Sequence, residues 1–239
     1  MNRREVTVEG GTVLAYGHWG RPVIAFPSEN GEVWDWENRG MIDAVGSLLE
    51  DGRLKLYCVP SFDRESWTRH DLPLEARARL HEIYEHWVLD KLVPFVQEDC
   101  STHELVTVGC SFGAYHAVNF CLKRADLFPL GIGMSGVYDV SVQGWGERGD
   151  AVFFSNPADY VVHLNGDHLE WLRGHASVLL VCGQGQWEDT TGALESTRRF
   201  GALLQSKQIR CEVDLWGHDV AHDWPSWRRQ IAHHLPRFL

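Results

Sequence analysis

The stretch that decides the fold is ELVTVGCSFGAYHAVNF, residues 104–120. An apolar, β-branched run leads into Gly109-Cys110-Ser111-Phe112-Gly113, and small and apolar residues follow. This pattern predicts a strand over residues 105–108 and a helix over residues 114–124, with Ser111 at the turn between them. The five letters alone are a weak signal, because composition produces a Gly-x-Ser-x-Gly match in roughly one chain in ten. The strand before the match and the helix after it make it informative.

A serine held at such a turn projects its hydroxyl away from the sheet, as in a nucleophile elbow. Both flanking glycines are then required, because a Cβ at either place would collide with the neighbouring strand or helix. Small residues after the motif also keep the helix close to the sheet. We therefore predict that Ser111 is a nucleophile; the alternative is an ordinary turn serine.

The rest of the chain alternates short apolar runs with amphipathic segments. Predicted strands cover residues 6–8, 13–18, 23–26, 54–59, 105–108, 130–134, 178–182 and 211–216, and predicted helices cover residues 41–50, 74–98, 114–124, 192–208 and 224–238. Such alternation indicates an α/β fold with a mostly parallel sheet of about eight strands and helices on both faces. We expect one domain over residues 1–239.

Residues 141–175 interrupt this alternation. The segment is mixed in composition, and Gly, Asn and Pro punctuate short helical turns. Its place between two predicted strands and its aromatic content suit a covering segment over a site. A surface excursion that only packs on the core is the alternative.

A serine hydroxyl is a poor nucleophile until a base takes its proton. In a fold with this elbow, the acid and then the histidine follow the serine in the chain, each on a loop after a later strand. The loop after the last predicted strand, WGHDVAHDWPSW, offers His218 and His222. We favour His222, because Asp223-Trp224 would hold it at the start of the next helix. His218 remains the alternative, and it could simply bond to loop backbone.

The acid is expected after the preceding strand, in SVLLVCGQGQWED, where Glu188 and Asp189 are the only carboxylates. Its task is to accept the second imidazole N–H and to stabilise the imidazolium. We favour Glu188, which lies three residues past Gly185. Asp189 is the alternative acid, and it could instead cap the helix that DTTGALES predicts.

Two N–H donors must face the charge that develops on a carbonyl oxygen. The backbone of Phe112, directly after the proposed nucleophile, supplies the first. The second is expected from AFPSENG, the loop after the third strand, with the backbone of Ser28 or Glu29 as candidates. Residues 30 and 31 could instead form a simple turn.

Composition excludes several classes of partner. The formal net charge of -11 argues against nucleic acid, because phosphate binding needs a basic face. No apolar run is long enough to span a bilayer, and the N-terminus has no signal-peptide core. We therefore expect a cytoplasmic protein without a membrane partner, with six reduced cysteines.

No cofactor or metal is expected. In HEIYEH the histidines are five residues apart and face different sides of a helix, unlike a zinc helix. HDVAHD could ligate a metal, but the serine motif already explains His222. GQGQWE lacks the spacing of a dinucleotide fingerprint.

Three segments together resemble a known family: the elbow GCSFGA, the ending GHDVAHDWPSWRRQIAHHL and the early FPSENG. They are similar to the esterase branch of the α/β-hydrolases that includes S-formylglutathione hydrolases, feruloyl esterase domains and mycolyltransferase antigens. The match extends from about Val23 to the C-terminus. Its most specific elements are the elbow and the spacing His222-x-Trp224-x-x-Trp227.

The resemblance implies an α/β-hydrolase fold without a large lid domain and ester hydrolysis as the activity. The family's serine, acid and histidine correspond to Ser111, Glu188 and His222. PSENG departs from the glycine-rich oxyanion loop of lipases. That departure disfavours a lipase and leaves the second N–H donor open.

The predicted activity is hydrolysis of a small to medium carboxylic ester through an acyl-enzyme. Arg64 and Trp67, in a segment that also follows a strand, are candidates to line the substrate pocket; Trp67 could equally fill the core. The alternatives are an acyltransferase with the same three residues and a non-catalytic binding protein. Substrate specificity depends on loop shape, and the sequence leaves it and the oligomeric state open.

Overall fold

The computed structural model describes residues 2–239. Eight strands form one sheet. The strands are β1 (Arg3–Val8), β2 (Gly11–Tyr16), β3 (Arg21–Phe26), β4 (Leu54–Cys58), β5 (Val106–Cys110), β6 (Leu130–Met134), β7 (Ser177–Cys182) and β8 (Arg210–Leu215). Their spatial order is β1-β2-β4-β3-β5-β6-β7-β8. β2 is antiparallel to both its neighbours, and all other pairs are parallel. The predicted mostly parallel sheet is confirmed.

The register of the parallel strands brings their carboxyl ends to one edge of the sheet. Phe26 of β3 pairs with Gly109 of β5, and Cys110 pairs with Met134 of β6. Met134 in turn pairs with Val181 of β7. The loops that follow these strands therefore meet at the same edge, where ligands collect in open α/β sheets.

Helices cover both faces of the sheet. They are α1 (Asp35–Asn38), α2 (Met41–Ala44), α3 (Gly46–Glu50), α4 (Leu74–Trp87), α5 (Val93–Cys100), α6 (Phe112–Lys123), α7 (Asp150–Ser155), α8 (Pro157–His163), α9 (Gly166–His175), α10 (Ala193–Ser206) and α11 (Trp224–His234). One core cluster contains buried residues of α4, α5, α6 and α8 to α10, and the other contains those of α1 to α3 and α11. This two-layer cover explains why the inner strands are apolar on both faces.

Three predicted helices differ in detail from the observed ones. The helix predicted over residues 224–238 ends at His234, and a 3-10 turn, Leu235–Phe238, follows it. The helix predicted over residues 41–50 divides at Val45, whose φ of -116° is not helical. The helix predicted over residues 74–98 passes through a π-helical turn at Val88–Leu92 and ends at Cys100. Pro94 follows that turn; proline has no N–H, and its ring collides with the carbonyl four residues earlier in a regular helix. A wider turn before Pro94 avoids this collision.

Residues 141–175 form short helices that pack on the main body. Glu75 of α4 accepts the N–H groups of Gly149, Ala151 and Val152 at the start of α7, over 2.9, 3.3 and 3.1 Å. The hydroxyl of Tyr115 in α6 donates to the carbonyl oxygen of Ser155 over 2.8 Å. The first part of the segment is therefore anchored to α4 and α6.

Within residues 2–239, none of the helices combines the length and the apolar character that a membrane span needs.

Candidate active site

Ser111 lies at the turn between β5 and α6 in a conformation that few L-residues adopt. Its φ and ψ are 54° and -122°. Its N–H donates to the carbonyl oxygen of Met134 over 2.9 Å, and its own carbonyl accepts from the N–H of Ala114 over 3.0 Å. A positive φ at such a residue costs of order 1–3 kcal/mol and persists only where the surroundings hold it. The strained turn places the Ser111 side chain at the carboxyl edge of the sheet.

The two glycines of the motif lie where the backbones are too close for a side chain. A Cβ on Gly109 would overlap the backbone of Gly113. A Cβ on Gly113 would overlap the carbonyl oxygens of Phe26 and Pro27, at the end of β3. The first turn of α6 therefore packs directly on the loop that follows β3.

His222 lies in the loop between β8 and α11, and several contacts hold this loop. Its N–H donates to the carbonyl oxygen of Gln186 over 2.9 Å. The carboxylate of Asp223 caps α11 by accepting the N–H of Ser226 over 2.9 Å. The indole of Trp227 packs edge-on against the imidazole, with ring centroids 5.1 Å apart. These contacts hold the loop and place the Trp227 indole against the imidazole.

The two imidazole nitrogens of His222 each face a group that the sequence predicted. Nε2 lies 3.0 Å from the hydroxyl oxygen of Ser111, and Nδ1 lies 3.0 Å from Oε2 of Glu188. A carboxylate only accepts hydrogen bonds, so Nδ1 carries the proton and Nε2 is free to accept one. This arrangement can take the hydroxyl proton as Ser111 attacks an electrophilic carbon.

Glu188 is fully buried, and donors surround its carboxylate. Oε1 accepts from the hydroxyl of Ser135 over 2.5 Å and from the N–H of Gly183 over 3.2 Å. Oε2, which faces His222, also accepts from the thiol of Cys182 over 3.4 Å. Burial and the nearby Glu188 raise the pKa of Cys182, so the thiol keeps its proton. Such contacts offset the cost of removing a charged carboxylate from water.

Ser135 is a residue of this site that the sequence analysis missed. It directly follows β6, its φ is 54°, and its N–H donates to the carbonyl oxygen of Val181 over 2.7 Å. Its hydroxyl oxygen accepts from the indole N–H of Trp227 over 3.1 Å. The available signal was its position, because the first polar residue after a parallel strand lies at the edge where ligands collect.

The alternative histidine, His218, and the alternative acid, Asp189, lie outside the hydrogen-bonded line from Ser111 through His222 to Glu188. Nδ1 of His218 is 3.1 Å from the carbonyl oxygen of Gln184, and the side chain is exposed. The carboxylate of Asp189 accepts the N–H of Thr190 over 2.8 Å and is also exposed. Each side chain therefore bonds to the backbone of a nearby loop residue.

The proposed oxyanion donors lie on two adjoining segments. Phe112 is the first residue of α6, and Ser28 and Glu29 lie in the loop after β3. The hydrogen bonds found among residues 2–239 include none from the backbone N–H of these three residues. The close approach of Gly113 to Pro27 brings the two segments together.

The two candidate pocket residues occupy different environments. Arg64 is exposed, lies 3.6 Å from the carboxylate of Glu32 and lines a groove of about 640 Å³ beside the loop after β3. Trp67 is 1% exposed and packs against the rings of Phe112 and Tyr115. Trp67 therefore supports the residue after Ser111 from inside the core.

Comparison with known proteins identifies the family. The family model described as "Putative esterase" matches residues 60–238, which is most of the chain. The chain belongs to this esterase family. It is accordingly an ester hydrolase, in agreement with the predicted activity. No curated protein matches the chain significantly.

Solved structures share the fold of this esterase at low sequence identity. A ferulic acid esterase is 15% identical with a TM-score of 0.72, and the match covers 99% of this chain and 96% of that one. Mycobacterium tuberculosis MPT51 is 14% identical with a TM-score of 0.70, covering 97% and 96%. Staphylococcus aureus S-formylglutathione hydrolase is 14% identical with a TM-score of 0.67, covering 99% and 95%. The predicted α/β-hydrolase fold is confirmed.

Proposed function

We propose that Ser111, His222 and Glu188 are the catalytic triad of this esterase and that it hydrolyses a small to medium carboxylic ester through an acyl-enzyme. The supporting observation is the pair of 3.0 Å contacts that His222 makes with the Ser111 hydroxyl and the Glu188 carboxylate. The N–H of Phe112 and one N–H from Ser28 or Glu29 form the oxyanion hole.

In the acylation step, Oγ of Ser111 attacks the ester carbonyl carbon while Nε2 of His222 takes the hydroxyl proton. The carbonyl oxygen becomes an oxyanion, which the backbone N–H groups stabilise. Collapse of the tetrahedral intermediate breaks the bond to the alkoxy oxygen, and His222 returns the proton to the leaving alcohol. Water then attacks the acyl-enzyme by the same steps, releasing the acid and restoring Ser111.

Glu188 keeps His222 in the tautomer that this cycle needs. Its carboxylate accepts the Nδ1 proton and stabilises the imidazolium that forms when Nε2 is protonated. Because Glu188 is already bonded to Ser135 and Gly183, it needs no rearrangement during the reaction. Preorganised groups of this kind lower the barrier most effectively.

The surroundings of the triad support a compact substrate site. The side chain of Phe112 clusters with buried residues of the 141–175 segment, including Ala151 and Val152. We assign this segment as one wall of the site, within a single domain of residues 1–239. A cytoplasmic location is also part of the proposal, supported by six free cysteines. Cell fractionation tests that part.

Hydrolysis of p-nitrophenyl acetate and butyrate, with Ser111→Ala beside the wild type, tests the assignment. We expect kcat of the variant to fall by about 10³-fold or more, because among residues 2–239 the Ser111 hydroxyl is the nucleophile bonded to His222. Ser206→Ala changes an exposed serine whose hydroxyl donates to the carbonyl oxygen of Leu203, and it should keep wild-type activity. Full activity in Ser111→Ala would refute the proposed triad.

A fluorophosphonate probe gives a second readout that is independent of the ester. We expect it to label the wild type and not Ser111→Ala. Added alcohols or amines, followed by product analysis, would reveal transfer of the acyl group instead of hydrolysis. A panel of esters varied separately in the acyl and alcohol portions would then define the substrate.

A further inference from the structure

A buried carboxylate–imidazole pair lies behind the proposed oxyanion hole and takes no part in the triad. Asp63 begins the 3-10 turn Asp63–Glu65 after β4, and His116 lies in α6. Oδ1 of Asp63 is 3.0 Å from Nε2 of His116, and each side chain is 1% exposed. Burying a carboxylate is expensive unless its oxygens are paired. The partners of both Asp63 oxygens therefore indicate what this buried carboxylate does.

The second oxygen of Asp63 holds the loop that follows β3. Oδ2 accepts the N–H of Asn30 over 3.1 Å. Asn30 is in the left-handed region with a φ of 55° and directly follows Glu29. The hydroxyl of Thr68 lies 2.8 Å from Oδ1 of Asn30 and 3.0 Å from the carbonyl oxygen of Asp63. Asp63 and Thr68 thus anchor this loop at its unusual residue.

Oδ1 of Asp63 contacts His116 of α6, the helix that carries the other proposed N–H donor. His116 lies one turn after Phe112 in α6, and the two rings pack edge-on with centroids 5.2 Å apart. Phe112 carries one proposed N–H donor, whereas Ser28 or Glu29 carries the other. A single carboxylate therefore connects both segments that carry the proposed donors.

We propose that Asp63 and His116 are positioning residues that hold the two oxyanion donors at a fixed separation. The inference rests on the proposed function. Each donor contributes only if it points at the same oxygen as the other, and loss of one donor costs about 10²–10³-fold in kcat. The charge develops only in the transition state, so a displaced donor lowers kcat and leaves substrate binding nearly unchanged.

Asp63→Ala and Asp63→Asn test the role of the carboxylate. We expect Asp63→Ala to lower kcat for p-nitrophenyl butyrate at least about tenfold, with KM within about threefold of wild type. Binding of a trifluoromethyl ketone, which forms an oxyanion adduct with the serine, should weaken by the same factor as kcat/KM. Asp63→Asn can still accept from Asn30 and pair with His116 in its other tautomer, so it should recover kcat to within about threefold.

Glu85→Ala is the matched control for loss of a buried carboxylate. Glu85 is 9% exposed and bonds to Lys123 over 2.7 Å, and it makes no hydrogen bond to the loop after β3 among residues 2–239. We expect this variant to lose thermal stability while keeping the wild-type kcat. If Asp63→Ala does not fold, Thr68→Val replaces it, with an expected fall in kcat of about threefold at unchanged KM.

Two results would overturn the inference. One is a wild-type kcat in Asp63→Ala, or in Thr68→Val where Asp63→Ala does not fold. The other is an equal fall in kcat in Glu85→Ala, which would reduce the effect to general loss of stability. Activity in Ser111→Ala would instead refute the proposed function itself, so the two failures are distinguishable.

Discussion

Ser135 and Glu188 are 53 residues apart in the chain, yet the hydroxyl oxygen of Ser135 lies 2.5 Å from Oε1 of Glu188. The same hydroxyl accepts from the indole N–H of Trp227, whose ring packs against His222. The acid and the histidine of the proposed triad are thus connected twice, directly and through Ser135 and Trp227. Networks of this kind are worth more than the sum of their single bonds.

The first prediction concerns Ser135→Ala, which removes a donor from Glu188 and an acceptor from Trp227. Leaving buried polar groups unpaired costs about 1–3 kcal/mol, and we expect the variant to lose stability in that range. We also expect kcat for p-nitrophenyl butyrate to fall about tenfold, because Glu188 gains freedom to turn away from His222. Urea unfolding and steady-state kinetics measure the two effects.

Ser135→Gly separates the hydrogen bonds from backbone strain. Glycine tolerates the positive φ of Ser135 without cost, so this variant relieves strain but loses the same hydroxyl. Its kcat should match that of Ser135→Ala. A wild-type kcat in either variant would show that Glu188 does not depend on Ser135.

The second prediction separates the two candidate acids. Glu188→Gln keeps the shape of the side chain but cannot stabilise the imidazolium, and kcat should fall by about 10²–10⁴-fold. Asp189→Asn should stay within about twofold of wild type, because this exposed carboxylate accepts the N–H of the adjacent Thr190 and lies outside the contacts of His222. The reverse order of the two effects would assign Asp189 as the acid.

The third prediction concerns the packing of α6 on the loop after β3. A Cβ in Gly113→Ala would meet backbone carbonyl oxygens, which cannot move as a flexible side chain can. We expect a loss of about 3 kcal/mol in the free energy of unfolding and a large loss of activity. Gly174→Ala is the matched control: Gly174 lies in α9 with nothing within 4 Å of the added Cβ, and it should gain about 0.5 kcal/mol. Equal stability of the two variants would contradict the close approach.

The fourth prediction concerns acid stability. Oδ2 of Asp99 lies 2.5 Å from Nη2 of Arg4, 2.8 Å from Nζ of Lys55 and 2.6 Å from the hydroxyl of Tyr57. Burial of Asp99 opposes ionisation, but the hydrogen bonds from these three groups outweigh it and lower the pKa of Asp99 to about 2. A pKa below the ordinary value of 3.8 means that the folded state favours the ionised carboxylate.

This stabilisation is fully present above about pH 4 and is lost as the pH falls towards 2. Asp99→Asn should therefore destabilise the protein by about 2 kcal/mol at pH 7, and the difference from wild type should shrink below pH 4. Urea unfolding at pH 7, 5 and 3 measures the trend, with the exposed Asp51→Asn as control. A difference that stays constant down to pH 3 would contradict it.

Much of this architecture was accessible from sequence patterns. All eight predicted strands are present. β3 to β7 are buried on both faces and appear in the sequence as short apolar runs bounded by polar loops. The elbow was recognisable because its two glycines lie where an added Cβ would overlap backbone, a demand that few residue types meet. Helix details were less accessible: the π-helical turn before Pro94 depends on how the chain accommodates one missing N–H.

Contacts between loops that are far apart in the chain could be predicted from the sequence only in part. Loop position, the Asp223-Trp224 pair and the family resemblance together favoured His222 over His218 and Glu188 over Asp189. Ser135 and Asp63 were missed, because neither lies in a motif that predicts its distant partner. No local pattern encodes such a contact.

The sequence by itself determined the order of strands and helices, the strained serine turn and the family, because each depends on residues that are neighbours in the chain. Only the tertiary structure decided which carboxylate faces His222 and which buried groups hold that carboxylate and the loop after β3. Side-chain direction at the edge of a sheet depends on how several loops pack together. That packing is set by contacts between segments that are far apart in the chain.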